Sequence, residues 1–236
     1  RLGAIESRLG RVEVSIEALQ KAVDSGFQSL TKSLSAQTQK LTDHDKALTE
    51  RVDNLALFTA PLSTSCFNDG LSALKAWTGK SRAALVFDSG RDGWDKPKFN
   101  EATKKPSNAV IGVTEKGDVF GGYVSVPLTE TGQYFRDDGM FAFSLFSHGR
   151  CDVPQRWMMK KDREYAGDDV WIWSLDNNNF IWFGNGWSGY FKFSSQTNGS
   201  FICNAGNWFD GLGDTVLTGE NEAWFTTTRL LVVRLE

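Results

Sequence analysis

The sequence has few of the residues from which disulfide frameworks and metal sites are built. Three of its 236 residues are cysteine (Cys66, Cys151 and Cys203), and two are histidine. A small, odd number of cysteines excludes a dense disulfide framework and favours buried, reduced thiols in a reducing compartment. The cysteine content therefore predicts an intracellular, cytoplasmic protein.

Long apolar runs and a strong charge excess are also missing. No apolar stretch approaches the ~20 residues of a membrane helix, so we expect no transmembrane segment, and no signal peptide is visible. The chain begins at Arg1 rather than at methionine, which predicts a fragment or processed form and leaves targeting open. The net charge of −3 disfavours binding to DNA or RNA, which requires a clearly basic face.

The sequence does contain a heptad pattern, which occupies residues 1–58. Apolar residues recur every seven positions, with partners three positions further on, at Leu2, Ile5, Leu9, Val12, Ile16, Leu19, Val23 and Leu30. A second seven-residue series runs one position out of phase, at Phe27, Leu34, Leu41, Leu48 and Leu55. Such a seam predicts a coiled-coil helix, and the change of phase predicts a stutter that locally unwinds the supercoil.

This helix predicts self-association. A helix of such length has nothing of its own to pack on, so we expect a homo-oligomer formed through residues 1–58. The mixture of Ile, Val and Leu in the seam leaves dimer, trimer and tetramer open. The alternative is that the helix folds back onto the domain that follows.

Residues 59–65 are interpreted as a linker, and residues 66–236 as a second domain. Beyond the linker the pattern changes to short β-type runs separated by Gly, Asn and Asp, with one clear helical pattern at Leu71–Trp77 and a short helix expected around Phe99. Strands are predicted at Ala83–Phe87, Ala109–Thr114, Val119–Val126, Met140–Ser147, Val170–Leu175, Phe180–Phe183, Tyr190–Ser194 and Leu230–Leu235. This texture indicates a mainly β domain, either β-sandwich-like or α+β.

The stretch from Val86 to Trp94 reads Val-Phe-Asp-Ser-Gly-Arg-Asp-Gly-Trp. It passes from a buried strand into two turn signals, and its glycines allow the loop to fold tightly. The loop would hold Arg91, Asp92 and Trp94 in fixed directions at a strand end, so all three are candidates for partner binding. Among them, we expect Asp92 to satisfy backbone donors, Trp94 to pack under the loop and Arg91 to be the residue most free to reach a partner. A purely structural corner is the alternative.

Residues suited to catalysis or metal binding are sparse after the linker. His148 precedes Cys151 by three positions, which makes these two a weak metal pair or Cys/His dyad. Cys151 and Cys203 are candidates for thiol-based peroxide handling, because Arg150 and His148 would favour a thiolate at Cys151. Two ligands do not make a zinc site, so we predict no metal, no cofactor and no enzymatic activity.

The tryptophans raise the possibility of a ligand groove, as in sugar-binding modules; the candidates are Trp171, Trp173, Trp182, Trp187 and Trp208. Trp171 and Trp173 share one face of a predicted strand, and the simplest interpretation is that this face lies in the core. Asn185, Trp187 and Trp208 are retained as candidates for partner binding.

Taken in order, these segments resemble the TLDc domain over residues 66–236. The resemblance rests on Trp77 before the first strand, the Val86–Trp94 strand and Arg-Asp-Gly turn, Phe99, Val119-Phe-Gly-Gly-Tyr-Val-Ser-Val126, Phe141-Ala-Phe-Ser-Leu-Phe146, the Gly-rich segment Phe183–Phe191 and Ser200-Phe-Ile-Cys-Asn-Ala-Gly-Asn207. No one segment is specific, but their order along the chain is.

The resemblance implies a sandwich of two antiparallel sheets flanked by a few short helices. Members of the family protect against oxidative damage and bind the vacuolar-type proton ATPase (V-ATPase), whose assembly they regulate; no established catalytic mechanism accompanies the domain. This chain departs from the family where Leu231 replaces a glutamate usual in the last strand, which weakens an enzymatic interpretation. It also departs where Asn185, Trp187 and Ser188 interrupt the Gly-rich segment.

The leading hypothesis is therefore a non-enzymatic protein-interaction module whose valency is set by a coiled coil. We expect its partner to be a protein, V-ATPase subunits among the candidates. The alternative is a carbohydrate- or small-ligand-binding module on a coiled-coil stalk.

Overall fold

The computed structural model describes residues 10, 17, 19–21, 23–43, 64–147, 149–151, 153–161, 169–175, 177–185, 189–195, 197, 199–213, 215–220 and 223–236. The chain divides into two compact units, Arg1–Asp53 and Asn54–Glu236. Among the helices within these ranges, none is long and apolar enough to cross a membrane.

The first unit contains a helix, α1, over residues 23–43. Large apolar side chains at Leu19, Val23, Phe27, Leu30, Leu34 and Leu41 are 54–70% exposed. Their spacing of three, four or seven positions places them on one side of a helix. The predicted N-terminal helix is therefore present over this range, whereas the heptad positions before Leu19 and after Leu41 lie outside the described residues.

The second unit contains three α-helices within its described part: α2 (Thr64–Thr78), α3 (Ser89–Asp92) and α4 (Lys96–Thr103). The helical pattern at Leu71–Trp77 and the short helix around Phe99 are confirmed as parts of α2 and α4. Because α2 begins at Thr64, the last two residues of the segment interpreted as a linker are helical. Leu71 and Leu74 of α2 pack in a cluster with residues of β5.

The strands of the second unit form two antiparallel six-stranded sheets. In chain order they are β1 (Ala83–Asp88), β2 (Asn108–Thr114), β3 (Val119–Val124), β4 (Gln133–Phe135), β5 (Phe141–Phe146), β6 (Gln155–Met158), β7 (Val170–Ile172), β8 (Asn179–Asn185), β9 (Gly189–Ser194), β10 (Ser200–Cys203), β11 (Ala223–Phe225) and β12 (Thr227–Leu235). The first sheet has the order β1-β12-β2-β3-β5-β6, and the second has the order β11-β10-β9-β8-β7-β4. The expected mainly β fold with two antiparallel sheets is confirmed.

All eight predicted strands are present, each with ends within three residues of the prediction. The sequence patterns did not predict β4, β6, β10 and β11, which are only three or four residues long. Three of these four are edge strands, where one side of the strand has no neighbour in the sheet. Such strands need no continuous apolar run, so their signal in the sequence is weak.

Aromatic side chains from both sheets fill the core between them, among them Phe120, Phe183, Phe191 and Phe193. Two glycines make this packing possible. A Cβ atom at Gly112 would collide with the ring of Phe193, and one at Gly122 would collide with the ring of Phe183. The glycines of β2 and β3 therefore serve close packing between the sheets.

The expectation that Trp171 and Trp173 lie in the core is wrong. Val170 and Ile172 are at most 1% exposed and belong to the core cluster, whereas the two tryptophans are half-buried on the opposite face of β7 and its extension. Alternation along a strand separates the two sets, but both are apolar, so the alternation could not show which set faces inward.

Candidate functional site

The loop after β1 is fixed by Asp88, which is 3% exposed. Its Oδ1 atom accepts a hydrogen bond from the Gly90 amide at 2.9 Å and so caps α3. The same carboxylate binds Arg229 of β12 through two bonds, Nε to Oδ1 at 2.8 Å and Nη2 to Oδ2 at 2.6 Å. Two parallel charge-assisted bonds of this kind fix orientation as well as distance, so the loop is anchored to β12.

Asp92 closes the loop from its other end. Its Oδ2 atom accepts a hydrogen bond from the backbone amide of Asp88 at 3.0 Å, as expected from the sequence. The Arg91 guanidinium donates to the same carboxylate at 3.1 and 2.9 Å and, with the Asp88 amide, holds the pKa of Asp92 below its usual value. Arg91 is 49% exposed, so it lies at the surface while bound to Asp92.

Trp94 packs as the sequence predicts. It is half-buried against the main core cluster, and its ring meets Phe180 edge-on with 5.5 Å between the ring centroids. Phe180 in turn contacts Phe99 of α4. Trp94 therefore joins the loop to the inner face of the second sheet, and Arg91 is the more exposed of the two.

A cleft of about 550 Å³ lies beside this loop. Asp92 lines it together with four basic side chains and one further acidic one: Lys98, Lys104, Lys105, Arg234 and Glu101. Arg234 also donates a hydrogen bond to the carbonyl of Ala102, and Lys104 pairs with Glu101 at 2.6 Å. The cleft is therefore basic on balance, with part of its charge already paired.

The redox candidates lie in different places. Cys151 is half-buried against the core cluster, and Cys203 lies on β10, where the side-chain amide of Asn204 donates to its Sγ atom at 3.3 Å. Arg150 binds the buried carboxylate of Asp118 and the carbonyls of Val216 and Leu217. Those contacts occupy the guanidinium that the sequence places beside Cys151.

His148, the partner proposed for Cys151, lies outside the described residues. Within the described part of the chain, no group of three or more His, Cys, Asp or Glu side chains is positioned to hold a metal ion.

Two of the partner-binding candidates, Asn185 and Trp208, are buried. Asn185 and Trp208 are each 1% exposed, and Trp187 lies outside the described residues. A Cβ atom at Gly189 would collide with the carbonyl oxygen of Asn204. The region therefore packs the β8–β9 hairpin against the turn after β10, and Asn185 and Trp208 have no exposed surface to offer a partner.

The second sheet carries a row of six side chains, one from each of its strands, on the face opposite the core, and five of the six are aromatic. We call this set the aromatic row: Tyr134, Trp171, Trp182, Lys192, Phe201 and Trp224. Cross-strand register makes each member the direct partner of the next, from β4 through β7, β8, β9 and β10 to β11. Trp224 is 58% exposed and the others are half-buried.

Two further rings, Trp173 and Tyr190, connect the row. Consecutive centroids lie 4.2–6.0 Å apart along the path Tyr134, Trp171, Trp173, Trp182, Tyr190, Phe201 and Trp224. Sequence reasoning identified the tryptophans of β7 and β8 but missed Tyr134, Phe201 and Trp224. These three lie on β4, β10 and β11, which were not predicted as strands.

Lys192 is the basic member of the aromatic row. Its Nζ atom lies 5.1 Å from the centroid of the Trp224 ring, a cation–π distance. Burial lowers the pKa of Lys192, and burial is also the first cause of the raised pKa of Tyr190. The row therefore holds a partly desolvated ammonium group among aromatic rings.

Leu231 lies in β12 opposite Asp88 and Ile111, and it is 2% exposed within an apolar cluster. The position that the resemblance assigns to a glutamate is thus part of the packing in this chain. An apolar side chain there has no proton to give or accept.

The family model of the TLDc domain matches residues 67–225, more than half of the chain. The chain belongs to the TLDc domain family. The matched range includes the loop after β1, the Gly-rich segment Phe183–Phe191 and all of the aromatic row, and it ends before β12. None of the curated proteins matches the chain.

Proposed function

We propose that this TLDc protein is a non-enzymatic protein-interaction module that acts in protection from oxidative stress, with V-ATPase subunits as candidate partners. Membership of the TLDc family carries the proposal. The described geometry supports it, because the buried carboxylates of Asp88 and Asp118 are bound to arginines that join strands and loops. These buried ion pairs stabilise the fold, so side chains at the surface are the ones available to bind a partner.

The coiled coil would set the number of domains that reach a partner. Leu30, Leu34 and Leu41 are 66–70% exposed along α1, and a second copy of the same helix is the occupant that heptad spacing favours. Linking several domains raises the effective concentration of the second binding event, so a weak single-domain affinity becomes a stronger overall one.

Crosslinked pull-down with the full chain tests the proposed partner. We expect the captured set to contain V-ATPase subunits. Specific partners are those that an excess of untagged full chain displaces. If no captured protein is displaced, the proposed interaction module is refuted. If displaced proteins are found but none is a proton-pump subunit, the V-ATPase assignment is refuted.

A matched pair of double substitutions tests valency. Leu34→Asp/Leu41→Asp adds two charges to the heptad seam, and Gln28→Asp/Ser35→Asp adds two at the same spacing on the opposite side of α1. We expect the first pair to give a monomer by light scattering and to weaken capture of the partner about a hundredfold, within the range that avidity spans. The second pair should change neither. A monomeric parent chain, or equal effects of both pairs, would contradict self-association through the seam.

A further inference from the structure

The geometry points to the aromatic row as the surface that binds the partner, and to a partner segment of polypeptide that presents a carboxylate between apolar side chains. This inference rests on the proposed interaction function and adds to it a surface and a ligand chemistry.

The row is separate from the residues that hold the sheets together. The inner face of the second sheet is provided by Ile172 of β7, Ile181 and Phe183 of β8, and Phe191 and Phe193 of β9, each at most 1% exposed. Side chains alternate along a strand, so Trp171, Trp182 and Lys192 project from the other face. Five aromatic side chains on a face that the core does not use form a large apolar surface, of the kind that interfaces are enriched in.

Lys192 gives this surface its charge preference. Among the described residues it has a cation–π contact with Trp224 and no ion pair. The register places Trp182 and Phe201 on either side of it, so both cross-strand neighbours are aromatic. A carboxylate arriving at this position would gain a charge-assisted bond to an ammonium that has already lost part of its hydration.

The orientation of the rings favours polypeptide over carbohydrate. Stacking of a sugar polymer needs successive ring faces in one plane, but the interplanar angles along the row are 63° for Tyr134 and Trp171, 51° for Tyr190 and Phe201, and 41° for Phe201 and Trp224. Only Trp173 and Trp182, at 10°, are nearly parallel among the ring pairs of this path. Tilted rings leave notches that fit aliphatic and aromatic side chains.

The indole N–H groups also favour polypeptide over carbohydrate as the ligand. The Nε1 atoms of Trp171, Trp173 and Trp182 are buried and have no hydrogen-bond partner within the described part of the chain. Binding sites for polar ligands depend on a few well-placed donors and acceptors, and buried indole nitrogens cannot reach sugar hydroxyls. With Lys192 as its one basic member, the row also lacks the positive charge that a nucleic acid requires.

A random library of 16-residue peptides displayed on phage, panned against the full chain, tests this inference. We expect enrichment of sequences that carry Asp or Glu between apolar residues. The best peptide is then synthesised and its affinity measured by calorimetry. Trp224→Ala should weaken binding at least tenfold, because an exposed tryptophan at an interface is a frequent hot spot.

Lys192 has its own arm of the experiment. Lys192→Met should weaken binding about tenfold, and Lys192→Arg should retain most of the affinity. Replacing the acidic residue of the peptide by its amide should weaken binding to the parent chain and have little further effect on Lys192→Met, which identifies the two groups as a pair. Met158→Ala, at a 43% exposed site of β6, and Lys105→Met, at an exposed lysine, are the matched controls and should bind normally.

Several outcomes overturn the inference. The inference fails if panning enriches no peptide, or if the enriched peptides contain no acidic residue. It also fails if neither Trp224→Ala nor Lys192→Met changes the affinity for the peptide. Binding of cellohexaose or polygalacturonate that Trp224→Ala abolishes would assign the row to carbohydrate, and a loss of self-association in Trp224→Ala would assign it to a second copy of the chain. If Trp224→Ala and Lys192→Met both capture the pulled-down partner as well as the parent chain does, only the assignment of this surface is refuted. If no protein partner is captured at all, the proposed function itself is refuted.

Discussion

Two aspartates hold the loop after β1, and they differ in what they bind. Asp88 is buried and binds Arg229, which is 14% exposed and lies 141 positions later in the chain. Asp92 is more accessible, and its partners are the amide of Asp88 and the half-exposed Arg91 beside it. The first aspartate therefore joins distant strands, and the second shapes a local turn.

The difference predicts unequal costs for substitutions within the turn. Asp92→Ala should lower the free energy of unfolding by about 1 kcal/mol, because the Asp88 amide loses its acceptor. Arg91→Ala should cost less than about 0.5 kcal/mol, since an exposed ion pair contributes little. Chemical denaturation of both variants measures this, and equal losses would show that Arg91 supports the turn as much as Asp92 does.

A larger loss is expected when the buried pair is broken. Asp88→Asn leaves the Arg229 guanidinium with an uncharged partner in a largely buried position, and it should destabilise the domain by about 3 kcal/mol. Asp138→Asn, which removes a carboxylate from the exposed pair with Arg136, is the matched control and should have little effect. Similar melting temperatures for the two variants would contradict a structural role for the Asp88–Arg229 pair.

At the scale of strands, the sequence predicts most elements but not how they meet. The apolar runs of β2 and β3 are visible in the sequence because both strands are buried along their whole length. The aromatic row depends instead on the register between strands that are far apart in the chain, such as Tyr134 with Trp171. No local pattern encodes that pairing, so the row could be found only from the structure.

The need for glycine in β3 can be tested by substitution at Gly122. Gly122→Ala places a Cβ atom against the ring of Phe183, and the overpacked core should lose about 1–3 kcal/mol of unfolding free energy. Phe183→Leu in the same chain removes part of the ring and should recover part of the loss. Additive losses in the double variant, measured by denaturation, would mean that the two sites do not clash.

At the scale of the whole molecule, the family is recognisable because its motifs keep their order along the chain, even though each is weak by itself. The coiled-coil pattern is visible for a different reason, since heptad spacing is a local property of the sequence. The partner of α1 and the occupant of the aromatic row involve a second molecule. Their identity therefore requires the oligomer and peptide experiments described above.

The position of β12 within the first sheet determines when the strands of that sheet can pair during synthesis of the chain. β12 lies between β1 and β2 and pairs with both, so neither of those strands has its neighbour on that side until β12 is synthesised. At ordinary rates of translation the wait from β2 to β12 is on the order of 10 s. During that time the edges of β1 and β2 are open to pairing with other chains, which makes this domain a candidate client of ribosome-associated chaperones.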